Sequence, residues 1–423
     1  MNYDKTIDFL HSTPWMGKKL GLSQIRELLS MMDDPQDKLK FIHVAGTNGK
    51  GSTCEMLASI LEAAGYKTGF FISPYINRFN ERIQVNHKPI GDDELVEIIG
   101  QIKIFMDRME VPPSEFEVIT AAAFKYFCEQ NCDYVVLEVG MGGRLDATNI
   151  IKTPLAAVIA TISLDHTKHL GNTIREIAFE KAGIIKPGGD VIAYGQGGEA
   201  AKVFKEICAG KDASLVFSDF SEIKPMGEDA EFQYFSYRGS CRYALSLYGE
   251  HQLKNAATVL ETVALLNRKG VAIGEEAVGE GLKRASWPGR FELLSRDPLF
   301  IADGGHNPEG AGAAVEAFKR RYPDKSAIIL IGMSEGKDVS KILSTIDEIA
   351  AGYVVIRSDN NARAIDIKTL LSHVTGLGKP AEAADSIRDG ITRALSLKKP
   401  NDAVFAIGSL YTLGPIREYF GKK

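Results

Sequence analysis

A glycine-rich stretch near residue 50 carries the residue types that hold the phosphates of a nucleotide. An apolar run, 41–45, leads into Gly46-Thr47-Asn48-Gly49-Lys50-Gly51-Ser52-Thr53, and an amphipathic helical pattern follows. Unpaired backbone amides at a helix N-terminus attract phosphate oxygens, the Lys50 ammonium adds positive charge, and the hydroxyl of Ser52 or Thr53 can reach Mg2+. The stretch is therefore predicted to bind a nucleoside triphosphate.

This loop is a compact variant of the standard phosphate-binding pattern. Gly46 lies only three residues before Gly49, and Gly51 separates Lys50 from the two hydroxyls. A plain strand-to-helix connection also places glycine at this point, so the glycines alone leave both interpretations open. The lysine and the hydroxyls favour phosphate binding.

Two further candidate residues, Glu138 and His166, each follow an apolar, strand-like run. The carboxyl ends of parallel strands meet at one edge of a doubly wound sheet, so both side chains would lie beside the phosphate loop. Glu138 is predicted to bind Mg2+, which prefers oxygen ligands and keeps several waters. A solvated glutamate and a hydrogen-bonded turn histidine are the simpler alternatives, and Asp165 and His169 stand close to His166.

Lys181 falls on the apolar face of a predicted helix. Spacing of three and four residues places Ile174, Ile177, Ala178 and Lys181 on one side. A lysine in this position can extend to solvent near the helix C-terminus, where the helix dipole favours cations. The spacing alone favours that simpler interpretation over a functional one.

Composition limits the classes of partner. The chain has 423 residues, 44% of them hydrophobic and 25% charged, with a net charge of −5. This length favours two domains, and the charge predicts no binding to nucleic acid or an anionic membrane. No run approaches the roughly 20 apolar residues of a membrane span, and no leader pattern is visible, so a cytoplasmic protein is expected. Five scattered cysteines predict reduced thiols, and Cys128 and Cys132 are expected to be small buried hydrophobes rather than zinc ligands.

The elements that must position these residues alternate between strands and helices. Strand-like runs are found at 41–45, 68–72, 134–137, 156–162 and 191–194. Helical patterns fall between them at 51–64, 92–109 and 116–129. This alternation predicts a doubly wound, mostly parallel sheet. Residues 231–248 alternate around a turn at 238–240 and predict an antiparallel hairpin that covers one sheet edge.

The pattern stops at 286–290, after helices at 253–268 and 275–285, and then starts again. Strands are predicted at 299–302, 327–331, 353–356 and 403–407, with helices at 308–320, at 339–349 and at the C-terminus up to Phe420. The fold class is therefore α/β: an N-terminal doubly wound domain with a phosphate loop, and a smaller C-terminal Rossmann-like domain. The predicted boundaries are 1–288 for the first domain, 289–298 for a hinge and 299–423 for the second domain.

Taken in order, the segments resemble the folylpolyglutamate synthase and dihydrofolate synthase family, which belongs to the Mur-ligase-type ATP-dependent amide ligases. The resemblance extends from Gly46 to Ser409 and rests on residues 43–52, 73–75, 78–83, 137–149, 164–166, 180–184 and 303–308. It implies that a substrate carboxylate attacks the γ-phosphate of ATP and that L-glutamate then displaces phosphate from the acyl phosphate. The expected acceptor is the γ-carboxylate of a (tetrahydro)folyl-(poly)glutamate, and the alternative is dihydropteroate, as in a bifunctional or sole dihydrofolate synthase.

The resemblance also assigns roles to individual residues. Catalytic roles fall to Lys50, Lys181, Asp303 and His306. ATP would be bound by residues 46–53 together with Asn255 at the adenine edge, Arg290 at the phosphates after domain closure, and Asp303. Two Mg2+ ions, with a monovalent cation such as K+ also allowed, would be held by Ser52, Ser73, Glu138, His166 and Lys181, the last as a carbamate formed with CO2. The folate and glutamate substrates would contact Ser73, Pro74, Tyr75, Arg82, His306 and Ser409.

Two other functions compete with this prediction. A Mur-type ligase of peptidoglycan precursors carries an extra N-terminal domain, whereas here the phosphate loop starts by residue 46. A nucleotide switch usually pairs its loop with a guanine-reading Asn-Lys-x-Asp motif, and the sequence contains none. Small-molecule substrates and a monomeric state are therefore expected.

Overall fold

The structure is a computed structural model that describes residues 2–14, 21–357 and 363–422. It contains two compact units. The first unit comprises Met1–Ser246 and Leu253–Ala285, and the second comprises Leu247–Gln252 and Ser286–Lys423. No helix in the described ranges is both long and apolar enough to cross a membrane.

The first unit contains an eight-stranded sheet that confirms the predicted doubly wound class. Its strands are β1 (Phe41–Ala45), β2 (Thr68–Phe71), β3 (Ile83–Val85), β4 (Lys88–Pro89), β5 (Tyr134–Glu138), β6 (Ala156–Ile159), β7 (Asp190–Ala193) and β8 (Ser214–Phe217). The order across the sheet is β4-β3-β2-β5-β1-β6-β7-β8. Strands β2, β5, β1, β6, β7 and β8 are parallel, while β3 and β4 add an antiparallel hairpin at one edge. The carboxyl ends of β1, β5 and β6 therefore meet at one edge.

Within the described ranges, ten α-helices precede the strands of the second unit in the chain. They are α1 (Tyr3–Ser12), α2 (Ser23–Met31), α3 (Lys50–Ala63), α4 (Asp92–Met106), α5 (Glu115–Glu129), α6 (Thr167–Leu170), α7 (Ile174–Lys181), α8 (Gly198–Gly210), α9 (Glu250–Arg268) and α10 (Glu275–Arg284). Side chains of α1, α2, α4 and α5 form one core with the sheet, and those of α7 and α8 form another. Strands buried in this way read as continuous apolar runs, which is why the sequence pattern identified β1, β2, β5, β6 and β7 but not β3, β4 and β8.

The predicted hairpin at 231–248 is present as β10 (Gln233–Tyr237) and β11 (Tyr243–Leu245), with positive φ at Arg238 and Gly239 in its turn. It pairs with a strand that the sequence analysis did not identify, β9 (Ile223–Glu228). The three strands form a sheet of their own and do not extend the larger sheet.

The second unit is the smaller Rossmann-like domain that the sequence predicts. Its strands are β12 (Glu292–Arg296), β13 (Leu299–Ala302), β14 (Ala327–Ile331), β15 (Ala350–Val355), β16 (Ala381–Ala383) and β17 (Ala403–Ile407), in the order β12-β13-β17-β14-β15-β16. Its helices are α11 (Pro308–Arg321), α12 (Val339–Ile346), α13 (Ile367–Thr375), α14 (Ile387–Leu397) and α15 (Leu413–Tyr419). Only β12 runs antiparallel to its neighbour. This strand lies within the predicted hinge, 289–298.

Candidate functional site

The phosphate loop joins β1 to α3 and places a glycine at the N-cap position of that helix. Gly49 is the N-cap residue, with φ of 80°, and as a glycine it has no side chain of its own to cap the first amides of α3. The loop is fastened to the chain beyond β6: the amide of Thr47 donates to the carbonyl of Thr161 over 2.6 Å, and its hydroxyl lies 3.1 Å from both the carbonyl and the amide of Ser163. These bonds hold the loop at the N-terminus of α3, and backbone amides at a helix N-terminus attract an anion such as phosphate.

Glycine is required at position 49 for two independent reasons. Its positive φ is unfavourable for other residues, and a Cβ built there would lie 2.7 Å from Oδ1 of Asn255. The buried side chain of Asn255, on α9, is therefore packed against the start of α3. The structure brings Asn255 to the phosphate loop, and its contact with an adenine edge stays a prediction.

A Gly49→Ala substitution is expected to weaken the binding of MgADP by about tenfold or more. A displaced loop amide loses a charge-assisted hydrogen bond worth about 1.5–3 kcal/mol. Gly65→Ala is the matched control, because Gly65 has a φ of 88° at the other end of α3 and open space around it. Isothermal titration calorimetry should show unchanged affinity for this control, and denaturant unfolding should show a stability loss of about 1–2 kcal/mol. Equal affinity of the two variants would contradict the steric account.

Two lysines converge on this loop. Lys50 donates from Nζ to the carbonyl of Thr47 over 3.2 Å, and Lys181 donates to the carbonyl of Gly46 over 2.7 Å. Lys181 is only 4% exposed, and Ile177 and Ala178 are buried on the same side of α7. The predicted buried face of this helix is therefore confirmed, and the side chain does not extend to solvent.

The environment of Lys181 disfavours a positive charge. Burial and, after it, the nearby Lys50 hold the pKa of Lys181 well below its usual value, against smaller opposing effects of Asp165 and Asp146. The uncharged amine is thus favoured relative to an ordinary lysine.

Glu138 ends β5 directly beside the end of β1, where Val44 is its partner in register. The side chain is buried, and its Oε2 accepts a hydrogen bond from the amide of Ser73 over 3.1 Å. Arg82 in turn donates from Nη1 to the Ser73 hydroxyl over 3.1 Å. The structure therefore brings together three of the predicted residues: a carboxylate, a hydroxyl and a guanidinium.

The residues between Ser73 and Arg82 form an aromatic cover over that guanidinium. A cis peptide bond joins Ser73 to Pro74, and the Arg82 guanidinium carbon lies 5.1 Å from the ring centre of Tyr75 and 5.5 Å from that of Phe79. Arg82 is 3% exposed. Its packing therefore fixes the direction in which it donates to Ser73.

His166 lies beyond β6 at the same sheet edge, as predicted. It is the N-cap of α6, with φ of 49°, and its amide donates to Oδ1 of the buried Asp165 over 2.7 Å. Within the described ranges, no group of three or more His, Cys, Asp or Glu side chains is arranged to hold a metal ion.

The candidate residues of the second unit cluster at the carboxyl end of β13. Asp303 is 5% exposed and accepts hydrogen bonds from the amides of Phe291 and Gly305 over 2.8 and 2.7 Å. Burial raises the pKa of Asp303, against the opposing effects of Arg290, these amides and His306. The Nδ1 atom of His306 lies 3.0 Å from the carbonyl of Gly304.

Arg290 and Ser409 belong to the same end of this sheet. A Cβ at Gly304 would lie 2.5 Å from Nη1 of Arg290, which places that guanidinium directly over the β13 turn. Ser409 follows β17, the neighbour of β13, and is buried, with its hydroxyl accepting from the amide of Tyr411 over 3.2 Å. The second unit therefore groups Asp303, His306, Arg290 and Ser409.

Three residues that hold the loops at this sheet edge, Thr161, Ser163 and Asp146, were not predicted from the sequence. Thr161 and Ser163 hold the phosphate loop, as described above. Asp146 accepts from the amide of Met141 over 2.9 Å and from the Thr148 hydroxyl over 2.5 Å, and so ties down the loop after β5. The signal that could have found Thr161 and Ser163 is their position just past β6, at the edge that also carries the phosphate loop.

Comparison with known proteins gives matches along most of the chain. Residues 44–263 match the family model described as the Mur ligase middle domain, and residues 289–410 match the model of the Mur ligase glutamate ligase domain. The sequence is 35% identical over 433 residues to the dihydrofolate synthase/folylpolyglutamate synthase of Bacillus subtilis (strain 168), with 98% of each chain covered.

Solved structures agree with this match. The folylpolyglutamate synthase of Mycobacterium tuberculosis complexed with ADP aligns with a TM-score of 0.92 and 30% identity, covering 100% of this chain and 98% of its own. Escherichia coli FolC in complex with DHPP and ADP aligns with a TM-score of 0.87 and 28% identity, covering 100% and 98%.

Proposed function

Because the chain belongs to the folylpolyglutamate synthase/dihydrofolate synthase family of Mur-type ligases and is an ATP-dependent glutamate ligase of that type, we propose that it adds L-glutamate to the γ-carboxylate of (tetrahydro)folyl-(poly)glutamates. The observation that carries the proposal is the junction of the phosphate loop with Glu138, Ser73 and Arg82 at one sheet edge. The second candidate, joining glutamate to dihydropteroate, is supported by the paired name of the Bacillus subtilis relative and by the DHPP complex of the Escherichia coli structure.

The reaction requires two bond exchanges. A carboxylate oxygen of the acceptor attacks the γ-phosphorus of ATP, and ADP leaves. The amine of glutamate then attacks the acyl carbon, inorganic phosphate leaves and the amine loses a proton, so that an amide remains. Lys50 and the loop amides orient the phosphates, and such positioning supplies most of the acceleration in phosphoryl transfer. Water has to be excluded, since it would hydrolyse the acyl phosphate.

The oxygen-rich edge around Glu138 fits Mg2+. Glu138 and Ser52 are buried, Ser73 is fixed by Arg82, and the buried hydroxyl of Thr53 has no hydrogen-bond partner in the described part of the chain. Protein groups supply few ligands here, which suits an ion that takes phosphate oxygens and water for the rest. Mg2+ held by Ser52, Ser73 and Glu138 would neutralise phosphate charge, and a second ion would be held at His166.

Lys181 is suited to carbamylation. An uncharged lysine amine reacts with CO2 and loses a proton to give a carbamate, and burial lowers the pKa of Lys181 in the direction this needs. The product is an anion with two oxygen ligands. In our proposal this carbamate lies beside Gly46 and holds the second Mg2+, and K+ is a further candidate ion.

Asp303, His306 and Ser409 are proposed to handle the phosphoryl group and the incoming glutamate, and Arg290 to contact the phosphates. Asp303 supports this role through its two backbone hydrogen bonds, which fix both carboxylate oxygens. The histidine and arginine beside it can offer donors to an anion.

The choice of acceptor is tested with labelled glutamate. Purified enzyme is incubated with ATP, radiolabelled L-glutamate and either tetrahydrofolate monoglutamate or dihydropteroate, and products are separated by chromatography. We expect elongated tetrahydrofolate. Product with dihydropteroate alone would refute tail extension and favour the second candidate, and product with both would establish a bifunctional enzyme.

A further inference from the structure

A histidine in the edge hairpin of the first unit contacts the helix that begins at the phosphate loop. His87 stands in the turn between β3 and β4. Its Nδ1 lies 2.6 Å from Oε2 of Glu62, and its Nε2 lies 3.2 Å from Oε2 of Glu55 and 3.4 Å from the hydroxyl of Ser59. Glu55, Ser59 and Glu62 share one face of α3 by helical spacing. Both ring nitrogens are therefore directed at one helix.

The backbone of this turn does not favour histidine. Asn86 and His87 both have positive φ, 49° and 55°, as in the two-residue hairpin turn for which Asn-Gly is preferred. Asn86 fastens the turn to β2, because it exchanges hydrogen bonds with Thr68 over 2.8 and 2.9 Å. These two bonds do not involve the imidazole, which is directed at α3 instead.

The contact is an ion pair with two carboxylates. Burial lowers the pKa of His87, but the hydrogen bonds and charges of Glu55 and Glu62 outweigh it and raise the pKa from 6.5 to about 9. The ring also lies 5.6 Å from that of Phe70, on β2. At neutral pH the imidazolium donates from both nitrogens, one to each carboxylate. Side-chain exposure of 4% for Glu55 and 30% for His87 limits screening by solvent.

The two elements joined by His87 lead to different parts of the candidate site. Helix α3 carries Lys50 and Ser52 at its start. Strand β3 follows directly on residues 73–82, which contain Ser73 and Arg82. That segment is folded as a unit, since the Glu81 carboxylate accepts hydrogen bonds from three consecutive backbone amides, 76 to 78.

We propose that His87 is a positioning residue for the nucleotide site: through Glu55 and Glu62 it fastens the β3–β4 hairpin to α3 and so holds residues 73–82 in place beside the phosphate loop. The inference rests on the proposed role of Ser52 and Ser73 in holding the metal of the bound nucleotide. His87 itself touches neither nucleotide nor acceptor in this account.

The sharpest variant is His87→Gly, because Asn-Gly retains the turn while the imidazole is lost together with its ion pairs and its contact with Phe70. In the free protein at pH 7, hydrogen exchange of backbone amides in 73–85 is expected to become about tenfold faster, with β6 and β7 unchanged. The Kd for MgADP is expected to rise about fivefold. Asn131→Gly is the matched control, since Asn131 is an exposed residue with a φ of 52° and its side chain donates to the nearby carbonyl of Glu129.

Affinity measurements at alkaline pH distinguish the charge of His87 from its packing, because an effect of packing alone would not depend on pH. The pKa of His87 is higher in the folded chain than the ordinary 6.5, so its contribution is complete below pH 6.5 and is lost as pH rises through about 9. The Kd for MgADP of His87→Gly, divided by that of the wild type, should therefore fall from about five at pH 7 towards one at pH 10. A ratio independent of pH, or exchange in 73–82 equal to that of Asn131→Gly, would overturn the proposal.

The exchange experiment also separates this proposal from the proposed function. If the wild type bound no MgADP, the assigned function would fail, while exchange in 73–85 would still decide whether His87 holds the segment. If MgADP bound normally but exchange did not respond to His87→Gly, the positioning role would be wrong and the ligase assignment would stand.

Discussion

A Lys50→Met variant is expected to lose about 10³-fold in kcat/KM for ATP, because removing a donor aimed at developing charge costs about that much in preorganised sites. Methionine replaces the apolar stem of lysine with a chain of the same number of atoms, lacks the terminal ammonium, and cannot donate to a phosphate. Lys50 already points along the loop, with Nζ 3.2 Å from the carbonyl of Thr47. The measurement is a steady-state assay of amide formation with ATP as the varied substrate.

The control for this substitution is Lys103→Met. Lys103 is an exposed lysine on α4 whose ammonium lies 2.7 Å from Asp107 one helical turn away. Exposed ion pairs of this kind contribute little to folding stability. The kcat/KM for ATP should therefore stay within about a factor of two of the wild-type value, and the melting temperature should be nearly unchanged. A loss below tenfold for Lys50→Met, in a variant that melts at the wild-type temperature, would exclude Lys50 from phosphate binding.

A Lys181→Met variant is expected to lose about 10²- to 10³-fold in kcat, since the proposed carbamate would supply metal-bound negative charge close to the phosphates. Methionine fills the buried position on α7 without an amine. Lys186→Met is the matched control: Lys186 is a partly buried lysine, it donates to the carbonyl of Asn149 over 2.9 Å, and burial lowers its pKa to about 8. We expect this control to lose stability rather than activity.

The carbamate itself can be observed separately from activity. Wild-type protein exchanged into 13C-labelled bicarbonate should give a carbamate carbon resonance that Lys181→Met lacks and Lys186→Met retains. Removal of CO2 should lower activity, and bicarbonate should restore it. Full activity of Lys181→Met would eliminate the carbamate ligand. If the wild type gave no carbamate resonance but Lys181→Met still had reduced activity, Lys181 would act as a free amine that donates to the carbonyl of Gly46.

Sequence patterns predicted the parts of this site that depend on local periodicity. The phosphate loop is a strand, a glycine turn and a helix start in succession, and Glu138 ends an apolar strand, so both positions follow from where elements end. Helical spacing likewise placed Lys181 on the apolar face of α7, but it favoured a side chain that extends to solvent, whereas the structure buries this side chain. Each of these inferences needs only neighbours within a few residues and the rule that parallel strands end at a common edge.

The features of the site that could not be predicted depend on contacts between distant parts of the chain. Thr161 and Ser163 bond to the phosphate loop across 113 and 116 residues, and their position just past β6 is the one sequence signal of this contact. His87 looks like an ordinary polar turn residue until α3 is placed beside it. The short edge strands β12 and β16 were also missed, because a strand of three to five residues with partly exposed side chains lacks a continuous apolar run.

The central claim is that the γ-phosphate of ATP passes to a carboxylate of the acceptor. It is tested most directly with tetrahydrofolate monoglutamate whose γ-carboxylate carries 18O. Attack by that carboxylate leaves one of its oxygens on phosphorus, and this oxygen departs with the phosphate when glutamate attacks. Mass spectrometry of the released phosphate should therefore find one 18O atom per amide formed. Phosphate that contains only oxygen from solvent and ATP would contradict the ligase mechanism and would indicate hydrolysis by water.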